Sequence, residues 1–308
     1  MSDDRAPGRP ACGGRLRLPD WLRVKTGKAH LGRQTRDIIS AHGLHTVCES
    51  AHCPNIGECY CSGTATFMVM GDVCTRDCSF CAVTHGIPGA LDPEEPQRVA
   101  RAAQQMDLRY VVVTCVTRDD LPDGGAAHFA ATVRALKLRM PGVKVEVLPS
   151  DMKGDRESIK TILAAGPDVF NHTLETVRRL QTKVRPQAGY GTSLRVLRAA
   201  TDLGALTKSG LIVGMGETRD ELKQTLDDLV RAGVAILTIG QYLQPSRRHH
   251  AVARYVPPEE FDEFRLWGLE AGLRHVLAGP FVRSSYKAAE AMAAATAENV
   301  AIPEGSDC

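Results

Sequence analysis

The sequence predicts an α/β protein built around a partial (β/α)6 barrel of the TIM type. Six short, β-branched and almost continuously apolar runs follow one another along the chain, as in parallel strands covered on both faces. Segments with helical patterns separate them, and because parallel crossovers are right-handed, six in succession curl into most of a barrel. A doubly wound open sheet is the competing topology, and periodicity alone does not separate the two. The predicted strands are 65–71, 110–116, 143–148, 168–173, 211–216 and 235–241.

Helix signals lie between these strands. Asp92 is followed by a proline and two glutamates, which is typical of a helix start. Thr218 and Glu221 form a capping box, and leucines at helical spacing follow as far as a stop at Gly233. A further helix is expected after Pro257.

Composition excludes several classes of protein. Of the 308 residues 43% are apolar and 24% charged, so the chain is not wholly disordered. A net charge of +2 gives no reason to expect nucleic acid or a membrane surface as a partner. The chain has no run of 18 apolar residues, so no transmembrane helix is predicted, and the N-terminus lacks the apolar stretch of a signal peptide. We therefore expect a cytoplasmic protein.

The chain divides into four predicted segments. Residues 1–36 carry nine Arg/Lys and form a basic, partly disordered arm, either a solvated tail or a surface for an acidic protein. Residues 37–63 form an extension held by a metal site, 64–286 form the barrel, and 287–308 form a flexible tail.

Ten cysteines are unusual for such a chain, and seven of them lie between Cys48 and Cys81. A chain of this length can build a core without disulfides, so metal binding or catalytic sulfur is favoured. The spacings C-x4-C-x5-C and C-x3-C-x2-C do not match the C-x2-C pairs of structural zinc. Each triplet offers three thiolates where a four-iron cluster takes four ligands, which indicates an iron left for another ligand. The triplets are Cys48, Cys53 and Cys59, then Cys74, Cys78 and Cys81.

The second triplet follows the first predicted strand and has Phe80 before its last cysteine. This loop resembles that of the radical S-adenosylmethionine (SAM) enzymes. Gly210-x-Ile212-x-Gly214-x-x-Glu217 resembles their adenine-side motif. The resemblance implies a [4Fe-4S] cluster on the second triplet that binds and cleaves SAM, with Phe80 beside it. A zinc knuckle or ferredoxin-like carrier is the alternative, but such carriers rarely need six βα units.

Four further segments narrow the resemblance to the lipoyl synthases. They are 44–83, TRDDLPDGGA at 117–126, QYLQPSRRHHAV at 241–252 and GPFVRSSY at 279–286. The resemblance implies an auxiliary [4Fe-4S] cluster on the first triplet, with the Ser285 oxygen as its fourth ligand.

The same resemblance implies a sulfurtransferase. It would insert two sulfurs, at C6 and C8 of a protein-bound octanoyl-lysine group, and the auxiliary cluster would supply them. The SAM-derived radical replaces a general base, so no catalytic side chain is predicted. The implied partners are octanoylated carrier domains or carrier protein, a ferredoxin- or flavodoxin-like electron donor and a cluster-repair protein. Methylthio-transferring or biotin-forming enzymes are the nearest rivals, and an electron-transfer or zinc-binding structural protein is the rival from another class.

Polar residues near strand ends are the predicted SAM contacts. Arg118 could instead belong to a solvated charged turn. Arg195 and Lys208 are candidates because a fixed cation suits the SAM carboxylate. The predicted contacts besides Phe80 are Thr114, Arg118, Asn171, Glu175, Arg195 and Lys208.

Other residues are expected to be structural or peripheral. His172 is expected to be a hydrogen-bonded structural histidine, and Thr173 stands where the family usually has Asn. Cys61 and Cys115 are expected to pack as small apolar residues, and Cys12 and Cys308 to be idle. His249 and His250 are adjacent and so not a metal pair. Arg283 orients the auxiliary cluster or the substrate, or forms a surface salt bridge.

Overall fold

The computed structural model describes residues 16–23, 32–62 and 64–297. Its strands are β1 (His45–Thr46), β2 (Thr66–Val69), β3 (Val73–Cys74), β4 (Thr84–His85), β5 (Tyr110–Cys115), β6 (Lys144–Leu148), β7 (Val169–Asn171), β8 (Thr207–Val213), β9 (Ile236–Gln241) and β10 (His275–Gly279). Its α-helices are α1 (Arg33–Ala41), α2 (Val47–Ser50), α3 (Ile56–Cys61), α4 (Glu95–Gln105), α5 (Ala126–Arg139), α6 (Arg156–Leu163), α7 (Gln181–Val184), α8 (Tyr190–Asp202), α9 (Arg219–Arg231), α10 (Pro258–Ala271) and α11 (Ala288–Thr296). Short 3-10 helices span Asp20–Leu22 and Met152–Gly154.

The main sheet confirms the predicted barrel. Seven strands, β2 and β5 to β10, pair in parallel in the order in which they occur in the chain, and β1 pairs antiparallel with β2. A doubly wound sheet reverses its strand order at a switch point. The order here never reverses, and within the described residues β1 and β10 remain separate edges. The sheet is therefore a partial barrel.

All six predicted strands are present, but one is displaced. Strand β8 begins at Thr207 rather than at 211. The prediction missed this start because it contains two polar residues, Lys208 and Ser209, which are fully buried. Strands β1, β3, β4 and β10 were not predicted. Strand β10 ends in glycine after a histidine start, so its apolar run is too short to stand out.

Two of the predicted helix starts are confirmed and the third is displaced, since α4 begins at Glu95 with Glu94, not Asp92, in the N-cap position. The Thr218 hydroxyl accepts a hydrogen bond from the Glu221 amide, and the Glu221 carboxylate accepts one from the Thr218 amide. Helix α10 begins at Pro258 and ends before Gly272, which has a φ of 114°. Asp92 accepts from the Glu94 amide just before α4.

The predicted flexible tail is wrong for residues 288–296. They form helix α11, because a run of alanines favours a helix and Ala291 and Ala295 pack against Ile236 of β9. In the predicted arm, the structure describes 16–23 and the start of α1, and Leu22 is buried there. Cys12 and Cys308 lie outside the described residues. In the described part of the chain, no helix is long and apolar enough to cross a membrane.

Candidate active site

The second cysteine triplet lines a cavity of about 330 Å³ at the carboxyl ends of the strands, where barrel enzymes place their active sites. We call it the cysteine-loop cavity, after residues 70–91, the cysteine loop, which leaves the end of β2. Three predicted SAM contacts line the same cavity. The predicted residues that meet here are Cys74, Cys78, Cys81, Phe80, Thr114 and Glu175.

A buried arginine anchors the cysteine loop to the strand ends. Arg76 lies between Cys74 and Cys78, and its guanidinium donates two hydrogen bonds to Asp119, of 2.7 and 2.9 Å, and two of 2.7 Å to Asp151. Burial opposes the charge of Arg76, but these two carboxylates outweigh it and raise its pKa. The loop that carries the three thiols is therefore fixed by charge-assisted hydrogen bonds.

Backbone amides and a second arginine shape the wall around the triplet. The Cys74 sulfur accepts hydrogen bonds from the amides of Arg76, at 3.4 Å, and Thr117, at 3.3 Å. Arg185 also lines the cavity and donates to the carbonyls of Thr173 and Leu174. Nothing in the sequence around Arg185 predicts its place here, because no motif contains it.

Glu175 is the acidic member of this wall. It has a left-handed backbone, with φ at 70°, and its carboxylate accepts a 2.5 Å hydrogen bond from the Thr173 hydroxyl. Burial raises its pKa, while Arg185 opposes that shift. The residue that departs from the family pattern, Thr173, thus faces the cavity and holds Glu175.

Four other predicted SAM contacts do not line the cysteine-loop cavity. Lys208 is fully buried in the barrel, with its amine 3.0 Å from a Glu146 oxygen, and Asn171 donates to the same carboxylate at 2.8 Å. Arg118 pairs with Asp120 in the same turn, at 2.7 Å. Arg195 donates to Thr192 on the surface of α8. Each of these four side chains is held by a partner outside the lining of the cysteine-loop cavity.

Three histidines near the cavity act through hydrogen bonds. His172 contacts the Pro149 carbonyl and the Ser193 hydroxyl, and burial lowers its pKa to about 4, so it is neutral near pH 7. His249 contacts the Cys81 carbonyl at 3.0 Å, and the His250 amide donates to the Ser79 carbonyl at 2.7 Å. The histidine pair therefore braces the cysteine loop instead of forming a metal pair.

The glycine-rich motif is folded by its own glutamate. The Glu217 carboxylate accepts hydrogen bonds from the amides of Gly214, at 2.6 Å, and Met215, at 3.0 Å. Gly210 and Ile212 line the cysteine-loop cavity. The motif thus supplies a backbone wall, with the acid turned inward to hold the turn.

The first triplet lines a second cavity, of about 480 Å³, which we call the strap cavity. The strap is residues 279–286, and its Ser285 lies in the wall together with Cys48, Cys53 and Cys59. Burial raises the pKa of Cys48, and raises that of Cys59 to about 12. Cys61 does not line this cavity. The three thiols and the one hydroxyl predicted as ligands are therefore grouped together.

The three thiols of each triplet are the ligand type that iron–sulfur clusters use. Among the described side chains, no group of three His, Cys, Asp or Glu is arranged to hold one metal ion. A four-iron cluster instead spreads its thiolate ligands over separate irons. Cys115 also lines the cysteine-loop cavity, although it was expected in the core, and burial raises its pKa to about 12.

The two cavities are adjacent. Their linings share two residues from the segment that contains α2 and two from the strap. The shared residues are Val47, Ala51, Arg283 and Ser284.

Known proteins match this chain over most of its length. The profile described as Radical SAM superfamily matches residues 68–229. The lipoyl synthase of Rubrobacter xylanophilus is 54% identical over 279 residues, 90% of this chain and 87% of that protein. The lipoyl synthase of Thermus thermophilus is 54% identical over 274 residues, 88% of this chain and 85% of its own. This chain belongs to the lipoyl synthase family.

Solved structures agree on the fold of this lipoyl synthase family member. HydG, a maturase of the [FeFe]-hydrogenase, superposes with a TM-score of 0.54 at 14% identity, covering 86% of this chain and 67% of its own. Streptococcus suis SuiB bound to S-adenosylmethionine gives a TM-score of 0.51 at 9% identity, covering 77% and 51%. At such low identity these likenesses establish the barrel and nothing about substrate.

Proposed function

We propose that this chain is a sulfurtransferase that inserts sulfur at C6 and C8 of a protein-bound octanoyl-lysine group, forming the lipoyl group. Its relatives of more than 50% identity are lipoyl synthases. The observation that carries the proposal is the pair of adjacent cavities, each lined by one cysteine triplet. Such a reaction needs a radical source and a sulfur source side by side, because an alkyl C–H bond has no acidity for a base to exploit.

In this proposal the cysteine-loop cavity holds a [4Fe-4S] cluster and SAM. Cys74, Cys78 and Cys81 ligate three irons, and SAM takes the fourth. When bound, this pair supplies a 5′-deoxyadenosyl radical that abstracts hydrogen from an alkyl carbon. Phe80, Thr114, Glu175 and Arg185 form the SAM-facing wall.

The strap cavity holds the sulfur source, an auxiliary [4Fe-4S] cluster consumed as a substrate. Cys48, Cys53, Cys59 and Ser285 are its proposed ligands. The serine oxygen is a harder ligand than the three thiolates, and we propose that its corner is the easiest to open. Because Ser285 belongs to the strap, strap position controls how this corner is held.

The protein positions the reactants and keeps water away. Arg76 fixes the cysteine loop, and the Asn55 amide ties the strap to the extension through a 2.7 Å hydrogen bond to the Phe281 carbonyl. We assign no general base. Barrel and strap residues line both cavities, and an active site that excludes water would protect reactive carbon centres from side reactions.

The proposal includes partners and a compartment. The substrate is carried on an octanoylated carrier domain or carrier protein. A ferredoxin- or flavodoxin-like protein supplies electrons, and a cluster-repair protein replaces the consumed sulfur. We place all of these in the cytoplasm.

The test is anaerobic. The protein is reconstituted with iron and sulfide, mixed with SAM, a reductant and an octanoyl-lysine peptide, and the peptide mass is followed. We expect a gain of two sulfurs and a loss of two hydrogens, with one 5′-deoxyadenosine for each C–H bond broken. Cys59→Ala should release 5′-deoxyadenosine without adding sulfur. An unmodified peptide from protein carrying about eight irons would reject the proposed reaction.

A further inference from the structure

The boundary between the two cavities is built from two unlike sides. On one side are Val47 and Ala51, both apolar. On the other are Arg283 and Ser284 of the strap, and all four line both cavities. We call this boundary the passage; its lining is apolar at Val47 and Ala51 and polar at the two strap residues.

The apolar side is set by one helical turn. The Ala51 amide donates a 2.9 Å hydrogen bond to the Val47 carbonyl, so these two side chains are four residues apart on one helix face. Thr46 fixes the start of this turn by accepting a hydrogen bond from the Glu49 amide. The Ala51 methyl group thus has a defined position at the boundary.

The polar side is held by the barrel. A Cβ at Gly240 would lie 2.0 Å from the Val282 carbonyl oxygen, so the strap lies directly against β9. The Arg283 guanidinium donates a 2.6 Å hydrogen bond to that same carbonyl. The strap side of the passage is therefore held against the barrel.

We propose that the acyl chain of the substrate crosses between the cavities over Ala51, and that the small side chain of Ala51 sets the width of this passage. The inference rests on the proposed function. The reacting carbons must approach both the radical source and the sulfur source, and the two cavities meet at this boundary. An alkyl chain forms no hydrogen bonds, so the apolar side chains of Val47 and Ala51 suit it.

A size series at position 51 tests the inference. Ala51→Ser adds only a hydroxyl oxygen, Ala51→Val adds two carbons and Ala51→Leu adds three. The matched control is Ala293→Leu, because Ala293 is exposed on α11 and lines neither cavity. Iron content and SAM cleavage without peptide report whether each variant loads its clusters.

We expect sulfur insertion to fall in the order Ser, Val, Leu, with a loss of about tenfold or more for Ala51→Leu. Sulfur insertion in Ala51→Ser and Ala293→Leu, and peptide-free SAM cleavage in every variant, should stay within about twofold of the unchanged protein. Binding of an octanoyl-lysine peptide, compared with an acetyl-lysine peptide, should lose its preference for the longer chain in Ala51→Leu. If Ala51→Leu fails to load, Ala51→Val takes its place in each comparison.

Two results would contradict the proposal that the Ala51 side chain sets the width of the passage. One is sulfur insertion and octanoyl preference in Ala51→Leu equal to those of the unchanged protein. The other is a loss in Ala51→Ser as large as in Ala51→Leu, because size would then not be the cause. Failure of the proposed function looks different: the unchanged, loaded protein would add no sulfur. In that case the binding preference still decides whether a long acyl chain occupies the passage.

Discussion

The Asn55 side-chain amide donates a 2.7 Å hydrogen bond to the Phe281 carbonyl, across 226 positions of sequence. Asn55 lies between Cys53 and Cys59, and Phe281 opens the stretch that leads to Ser285. The first triplet and its proposed oxygen ligand come from segments that are far apart in the sequence and line one cavity. This hydrogen bond holds them in register, so its removal should affect one cluster and spare the other.

We predict that Asn55→Ala selectively weakens loading of the auxiliary cluster. A partly buried carbonyl loses its donor, which costs about 1 kcal/mol and loosens the strap. Iron content should fall from about eight toward about four per chain, while SAM cleavage persists. Iron analysis and 5′-deoxyadenosine release measure the two effects.

Tyr286→Phe is the control for the strap tie. It removes the exposed 3.0 Å hydrogen bond from the Tyr286 hydroxyl to Glu58 and leaves the rest of the ring. We expect a much smaller loss of iron than in Asn55→Ala. Equal iron content in Asn55→Ala and the unchanged protein would show that the tie does not hold the ligand.

We predict that Gly240→Ala displaces the strap. Its Cβ would overlap the Val282 carbonyl oxygen at 2.0 Å, and backbone on both sides cannot yield without moving β9 or the strap. Sulfur insertion should fall by a larger factor than SAM cleavage, and the melting temperature of the variant should be lower. Gly191→Ala is the control, because its Cβ would meet only the flexible end of Arg195 at 3.6 Å. Full sulfur insertion in Gly240→Ala would contradict the packing argument.

The opposite selectivity is predicted for Arg76→Lys. A lysine keeps the charge but cannot bridge Asp119 and Asp151 with four hydrogen bonds, so the cysteine loop loses its anchor. SAM cleavage should fall by about tenfold or more, while the auxiliary cluster still loads. Electron paramagnetic resonance of the reduced protein separates the two clusters. Asp77→Asn, in the same loop and exposed, should change neither, and equal loss of both clusters in Arg76→Lys would reject this role.

The sequence was informative where chemistry depends on local spacing. Cys74, Cys78 and Cys81 lie within one loop, so their grouping could be predicted from three positions. Ser285 could be assigned only through a family resemblance, because no local pattern says which cavity it enters. The strand prediction succeeded for the same local reason, since each apolar run is continuous.

Long-range pairing explains what was missed. Lys208 resembled a free cation near a strand end, but its partner Glu146 is 62 residues away and equally buried. Arg185 comes from a segment without a motif, and only folding brings it to the cysteine-loop cavity. Buried polar residues account for two differences from the prediction. Lys208 was expected to contact SAM but does not line the cysteine-loop cavity, and the polar start of β8 was not recognised as part of a strand.

We predict that Lys208→Met destabilises the fold by about 3–5 kcal/mol, because it leaves the Glu146 carboxylate buried without its cation. Tyr110 and Asn171 still donate to that carboxylate, but neither carries charge. The double variant Glu146→Gln with Lys208→Met should lose much less than the sum of the two single changes. Urea unfolding measures all three. Additive losses would mean that the pair contributes little.

We predict that His172 makes the protein less stable as the pH falls from about 6.5 to 4. Its Nδ1 faces the Pro149 carbonyl, which can only accept, so Nδ1 carries the proton and Nε2 accepts from the Ser193 hydroxyl. Burial lowers the pKa of folded His172 to about 4, whereas the unfolded chain takes up its proton near 6.5. Between these values the unfolded state binds more protons, so acid favours unfolding, by on the order of 3 kcal/mol in full. His172→Gln lacks this group, and its urea-unfolding free energy should depend less on pH over that range than that of the unchanged protein. Cluster loss in acid affects both proteins alike, so the difference between them isolates His172. Parallel pH profiles would mean that the folded protein protonates His172 as readily as the unfolded chain does.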